Sequence, residues 1–150
     1  MQDFVPLLVS LLLGTLIGLE RQVGHKPAGL RTHVLVCLGS TAFVIMQEYA
    51  MSLYGGVADP TRLVHGVVTG VGFLGAGTIL RTKEGWVHGL TTAASIWTVA
   101  AVGVAAGLRA YPFAVMLTLL VLLVLRVYWW IEEKLTPRNP EERGGTPSGS

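Results

Sequence analysis

Five apolar runs, at residues 4–19, 34–50, 63–80, 92–108 and 112–131, fill almost the whole chain and leave only short polar stretches between them. No other feature constrains the fold as much. A hydrocarbon core about 30 Å thick is crossed by about 20 mainly apolar residues. Water cannot satisfy backbone N–H and C=O groups inside that core, so runs of this length must be helical. Charged residues are only 13% of the 150, well below the roughly 25% of soluble domains. A soluble helical domain would need polar residues recurring at helical spacing. The stretch 112–125 has a single hydroxyl, Thr118, and no charge. The expected fold class is therefore all-α, a polytopic membrane bundle of about five transmembrane helices.

The first run could be read as a secretory signal. Asp3 is the only charge before it and no A-x-A-like site follows, so a retained helix is the better reading. Arg21, Lys26, Arg31, Arg81, Lys83, Lys134, Arg138 and Arg143 fall on one side of the alternating topology, and only Arg62 and Arg109 on the other. The positive-inside bias then puts the N-terminus outside and the C-terminus in the cytoplasm. The expected domains are a transmembrane unit, 1–135, and a tail, 136–150. That tail is polar, rich in Pro, Glu, Gly and Ser, and expected to be disordered; its last residues, 144–150, resemble a cloning remnant. A net charge of +2, thinly spread, argues against a nucleic-acid partner and leaves the lipid bilayer as the first one. The lone cysteine, Cys37, lies in an apolar run and reads as a small packing residue.

The third run opens at Asp59-Pro60, a cap followed by the residue suited to the first helical position. It then carries Gly66, Gly70, Gly72, Gly75 and Gly77. Small residues let membrane helices approach closely, and Gly66-x-x-x-Gly70 has the minimal spacing for it. One reading is tight packing inside the bundle, or against a second copy in a homodimer. The other is a locally unwound segment over 72–77 whose freed carbonyls line a polar site. The fourth run is rich in Ala and Gly and suits a glycine-rich neighbour, so the third and fourth runs are expected at the packed centre. The fifth, dominated by Leu and Val, is expected at the lipid-facing edge.

Charge inside a bilayer is costly and usually functional. No run has one at mid-span, and Glu48 lies near the outer end of the second, where headgroups or water are in reach. Polar side chains gather instead at the cytoplasmic ends: Glu20 and Arg21, then Arg31 and Thr32 with His33, then Arg81, then Thr91, Thr92 and Ser95. If these ends converge, two readings stand. Glu20 pairs with Arg31 or Arg81 in a structural ion network, or the hydroxyls and guanidinium groups receive an anion, a phosphate or a lipid headgroup. Magnesium prefers oxygen ligands that include one or two carboxylates. Glu20 is the weak candidate metal ligand here, with Glu84 in the next loop, and nearby arginines oppose it. His25, His33, His65 and His88 lack the i, i+4 spacing of helical metal ligands and read mostly as solvated loop residues. Gly70-x-Gly72-x-x-Gly75 lies within a membrane run rather than after a soluble strand, so it is no dinucleotide fingerprint. Ser95 has no base beside it in sequence. No enzyme and no cofactor is expected.

Four ordered blocks carry a family resemblance: Gly18-Leu19-Glu20-Arg21 with Pro27-Ala28-Gly29-Leu30-Arg31-Thr32-His33; Asp59-Pro60-Thr61-Arg62; Gly70-Val71-Gly72-Phe73-Leu74-Gly75-Ala76-Gly77; and Gly89-Leu90-Thr91-Thr92-Ala93-Ala94-Ser95-Ile96-Trp97. Together they resemble the MgtC/SapB family of bacterial inner-membrane proteins over roughly residues 4–130. The resemblance implies a five-helix inner-membrane domain, of the shorter SapB-like type without a soluble C-terminal domain. It also implies roles in magnesium homeostasis, in virulence and in restraining another membrane complex such as an ATP synthase or a transporter. Two local departures stand out. Gly66 stands where many members are expected to carry glutamine, and Arg109 lies in a loop expected to be uncharged. The expected function is a non-enzymatic membrane regulator; the alternatives are a small magnesium channel or transporter acting as a dimer, and an anion- or lipid-headgroup-binding module.

Overall fold

The structure, a computed structural model, describes residues 3–55, 59–83, 85–128, 130 and 134. The expected tail, 136–150, with Glu84 and Trp129, lies outside the described residues. Five helices follow in order: α1 (Phe4–Val23), α2 (Leu30–Tyr54), α3 (Pro60–Ala76), α4 (Leu90–Gly107) and α5 (Tyr111–Leu123), the last continuing into a wider π-helical turn, Val124–Tyr128. Four of these stretches, Phe4–Val23, Leu30–Tyr54, Leu90–Gly107 and Tyr111–Tyr128, are long and apolar enough to cross a membrane. α3 has 17 residues, about 25 Å at 1.5 Å per residue, the lower edge of a spanning length.

Local chemistry sets the ends. α3 starts with Pro60 at its first position, as the sequence suggests. It stops at Ala76, short of the expected residue 80, because Gly77 and Thr78 turn the chain. The Thr78 Oγ1 hydroxyl donates to the Gly75 carbonyl at 2.8 Å, a competing bond that favours leaving the helix. The backbone is helical through Gly72 and Gly75, so the unwound segment expected over 72–77 does not form. In its place, beyond Ala76, lies a short antiparallel hairpin absent from the sequence reading: β1 (Leu80–Arg81) and β2 (Val87–His88), with Leu80 opposite His88 and Arg81 opposite Val87.

α4 is the centre. Ile96, Val99, Val102 and Ala106 are buried along it, and it packs against each of the other four helices. One core cluster joins Leu13 and Ile17 of α1, Cys37 of α2, Val99 and Val102 of α4 and Ala114 of α5. A smaller one joins Val67 and Val71 of α3 to Ile96 and Ala100 of α4. The interhelical distances in the first cluster depend on Gly103 and Gly107 of the Ala- and Gly-rich fourth run, and on Gly14 and Gly18 of α1, to which the sequence assigns no packing role. A Cβ at Gly14 would lie 2.9 Å from Cys37 Cβ, one at Gly18 2.9 Å from Leu30 Cα, and one at Gly107 2.6 Å from Val44 Cβ. At Gly103 it would run into the Cys37 carbonyl oxygen.

This corrects the expected role of the α3 glycines. A Cβ added at Gly66, Gly70 or Gly72 meets nothing within 4 Å, and only Gly75 faces a neighbour, Ala93, at 3.5 Å. At Gly77 the contact is with the preceding turn of its own chain. α3 therefore sits at the edge of the bundle with Phe73 83% exposed, while the centre is α1, α2 and α4. The expectation for α5 agrees with its surface, since most of its Leu and Val side chains face outward.

A buried polar knot at one end of the bundle

The C-terminus of α1 and the N-termini of α2 and α4 meet at one end. Arg21 is only 2% exposed there, and its Nε donates to Glu20 Oε2. The partner expected for Glu20, Arg31 or Arg81, is thus replaced by its own neighbour in sequence. Arg31 and Thr32, on the first turn of α2, face solvent, as do Arg81 on β1 and Thr91 at the start of α4. Arg31 and Thr32 line an open concavity of about 500 Å³ with Gln22, Gly29 and Leu30. Of the expected cluster, the structure brings inward Glu20, Arg21, Thr92 and Ser95, and leaves the other four at the surface.

The residue that ties the buried half together is His33, fully buried. Its Nδ1 lies 2.9 Å from the Gly29 carbonyl oxygen, so Nδ1 carries the proton. Its Nε2 lies 3.0 Å from Ser95 Oγ, and Ser95 Oγ lies 2.8 Å from the Thr92 carbonyl oxygen. With a neutral ring the Ser95 proton points to Nε2; with a charged ring Nε2–H points to Ser95 and the hydroxyl turns to Thr92. Each arrangement fills the ring's hydrogen bonds, which a buried imidazole requires. Arg21 and Glu20 lie within electrostatic reach of the ring. The imidazole beside Ser95 is a base that the sequence reading did not find. Burial of both side chains closes the pair to any substrate of size. The overlooked signal was His33 at the boundary of an apolar run, four residues after Gly29, the spacing of one helical turn.

Elsewhere the polar side chains within the bundle are turned onto backbone. Ser10 donates to Leu7, Ser40 to Val36 and Thr118 to Ala114, at 2.8–2.9 Å. Thr41 donates across helices to the Gly103 carbonyl at 2.7 Å. Glu20, the candidate cation ligand, is spent on Arg21, whose charge opposes a metal. Among the described residues no three of His, Cys, Asp or Glu come together as a metal-holding group.

The opposite end has its own ion cluster. Arg109, held at φ 60° between α4 and α5, donates from Nη1 to both carboxylate oxygens of Glu48, at 2.7 and 2.9 Å. Asp3 lies 3.5 Å from its Nη2 and accepts from the Tyr49 hydroxyl at 2.6 Å. Hydrogen bonding to Glu48 holds the Arg109 guanidinium protonated above its ordinary range. The residue that departs from the expected loop is therefore the partner of Glu48, on the C-terminal half of α2.

Apolar helices of spanning length, closed at one end by a polar knot and at the other by an ion cluster, define a polytopic membrane protein. The chain belongs to the MgtC family, whose profile matches residues 7–134. It is 45% identical over 127 residues to the protein of Escherichia coli (strain K12) named "Putative magnesium transporter YhiD", covering 82% of this chain and 59% of that one. It is 47% identical over 116 residues to protein MgtC of Brucella abortus (strain 2308), covering 77% and 46%. With protein SapB of Bacillus subtilis (strain 168) it shares 35% over 139 residues, covering 90% and 60%. The chain spans about half to three-fifths of the length of these relatives. No solved structure matches it.

Proposed function

We propose that this chain is a non-enzymatic protein of the bacterial inner membrane that regulates another membrane complex by helix contact, in magnesium homeostasis or virulence physiology. The supporting observation is how its groups are spent. The buried polar side chains Ser10, His33, Ser40, Thr41, Ser95 and Thr118 are bonded within the chain. A solvated path would need such groups free to line it. By contrast, α3 presents Gly66, Gly70 and Gly72 to open space. Small residues on an uncovered membrane helix suit close approach by another helix, from an ATP synthase, a transporter or a second copy of the chain.

Transport of magnesium is the second reading, favoured by the name its Escherichia coli relative carries. Magnesium uptake by sealed liposomes containing the purified protein separates the two, with empty liposomes as the control. No uptake from protein shown to be folded is the expected result. Saturable uptake would replace the regulator reading with transport.

A further inference from the structure

The hairpin between α3 and α4 is the least explained part of the molecule. Its two-residue strands pair with each other, and a hairpin of this size is marginal in water unless something covers it. Trp86 is 70% exposed and Leu80 66%, with Val87 beside them also exposed. Arg81 and Lys83 are exposed among these apolar side chains, against a single acid in the segment, Glu84. The backbone is nevertheless closed. Thr82 N–H donates to the Trp86 carbonyl at 2.9 Å, and a Cβ at Gly89 would strike the Thr78 carbonyl oxygen, so the base of the hairpin is pinched.

Position says what covers this surface. Leu80 lies four residues beyond the end of α3 and Trp86 four before the start of α4. At ~3.4 Å per residue neither reaches farther than about 14 Å from its helix end. Tryptophan settles at the headgroup level of a bilayer, and Lys and Arg at that level are drawn to anionic lipid. We propose that the hairpin is a lipid-binding element, with Trp86, Leu80 and Val87 in the headgroup region of the bilayer the chain spans, and Arg81 and Lys83 on anionic lipid phosphates. This assignment does not depend on whether the protein regulates or transports.

The test uses the full chain in vesicles of phosphatidylcholine, with and without phosphatidylglycerol. In a Trp97→Phe/Trp129→Phe/Trp130→Phe variant, Trp86 is the sole reporter. Its emission is expected to be blue-shifted, and more strongly quenched by phospholipids brominated near the headgroup when phosphatidylglycerol is present. Each of Arg81→Gln and Lys83→Gln is expected to weaken the anionic-lipid-dependent partition about fivefold. The difference in emission between the native chain and Trp86→Ala gives the same readout without the triple substitution. Bromolipid quenching equal in the two lipids overturns the proposal. So does water-like emission in both, open to aqueous acrylamide, which would leave the patch to a protein partner.

Discussion

His33 Nε2 stands 3.0 Å from Ser95 Oγ, a bond between the N-terminal ends of α2 and α4 made by residues 62 apart in sequence. Among the described residues it is the one side-chain hydrogen bond tying these helices at the polar end, and both partners are buried. Its removal leaves a buried ring nitrogen without a partner, a loss of about 1–3 kcal/mol. Ser95→Ala is expected to lower unfolding stability in mixed micelles by that amount. In a double-mutant cycle with His33→Gln, the second substitution is expected to cost much less than it does alone. Additive losses would mean that the two side chains do not act together.

Thr41 makes the matching contact deeper in the bundle, from its hydroxyl to the Gly103 carbonyl. Side-chain bonds between membrane helices average about 0.6 kcal/mol and reach about 1.7. Thr41→Val keeps the shape and removes the bond, so its expected loss lies in that interval. The same unfolding titration measures it.

The glycines divide into two groups by what surrounds them. Gly103→Ala forces a methyl group against the Cys37 carbonyl, and overpacking of this kind costs about 1–3 kcal/mol. Gly66→Ala and Gly70→Ala add a methyl to open space, with an expected change within about 0.5 kcal/mol of zero. Thermal unfolding of the three variants in detergent checks the order. If α3 is a docking face, Gly70→Leu is expected to reduce association with the partner while leaving the melting temperature of the free protein unchanged.

At the other end, Arg109 and Glu48 are exposed, and salt is the lever. The bond to Glu48 raises the guanidinium above its ordinary value. Its contribution is complete below the unfolded value and fades only as pH rises through the still higher folded one, beyond ordinary alkaline buffers. Arg109→Gln is expected to loosen the α4–α5 loop at low ionic strength, read as faster amide exchange, with the difference from native shrinking as salt is raised.

Sequence alone determined the solvent of this fold and its helical architecture. A chain with apolar runs of this length can hide its backbone polar groups in a bilayer only by forming helices. Its four motif blocks were enough to place the family. It also located the end of the bundle where polar side chains collect, because charge is excluded from mid-span. What it could not determine was which residues face one another. Glycine count singled out α3, yet the close approaches run through Gly14, Gly18, Gly103 and Gly107, since whether a missing Cβ matters depends on a neighbouring helix that composition does not place. His33 looked like a loop residue until tertiary packing set Ser95 against it. Arg109 looked like an anomaly until Glu48 was found beside it. The His33–Ser95 and Arg109–Glu48 contacts each join residues more than sixty apart in sequence, and only the packed bundle could bring them together.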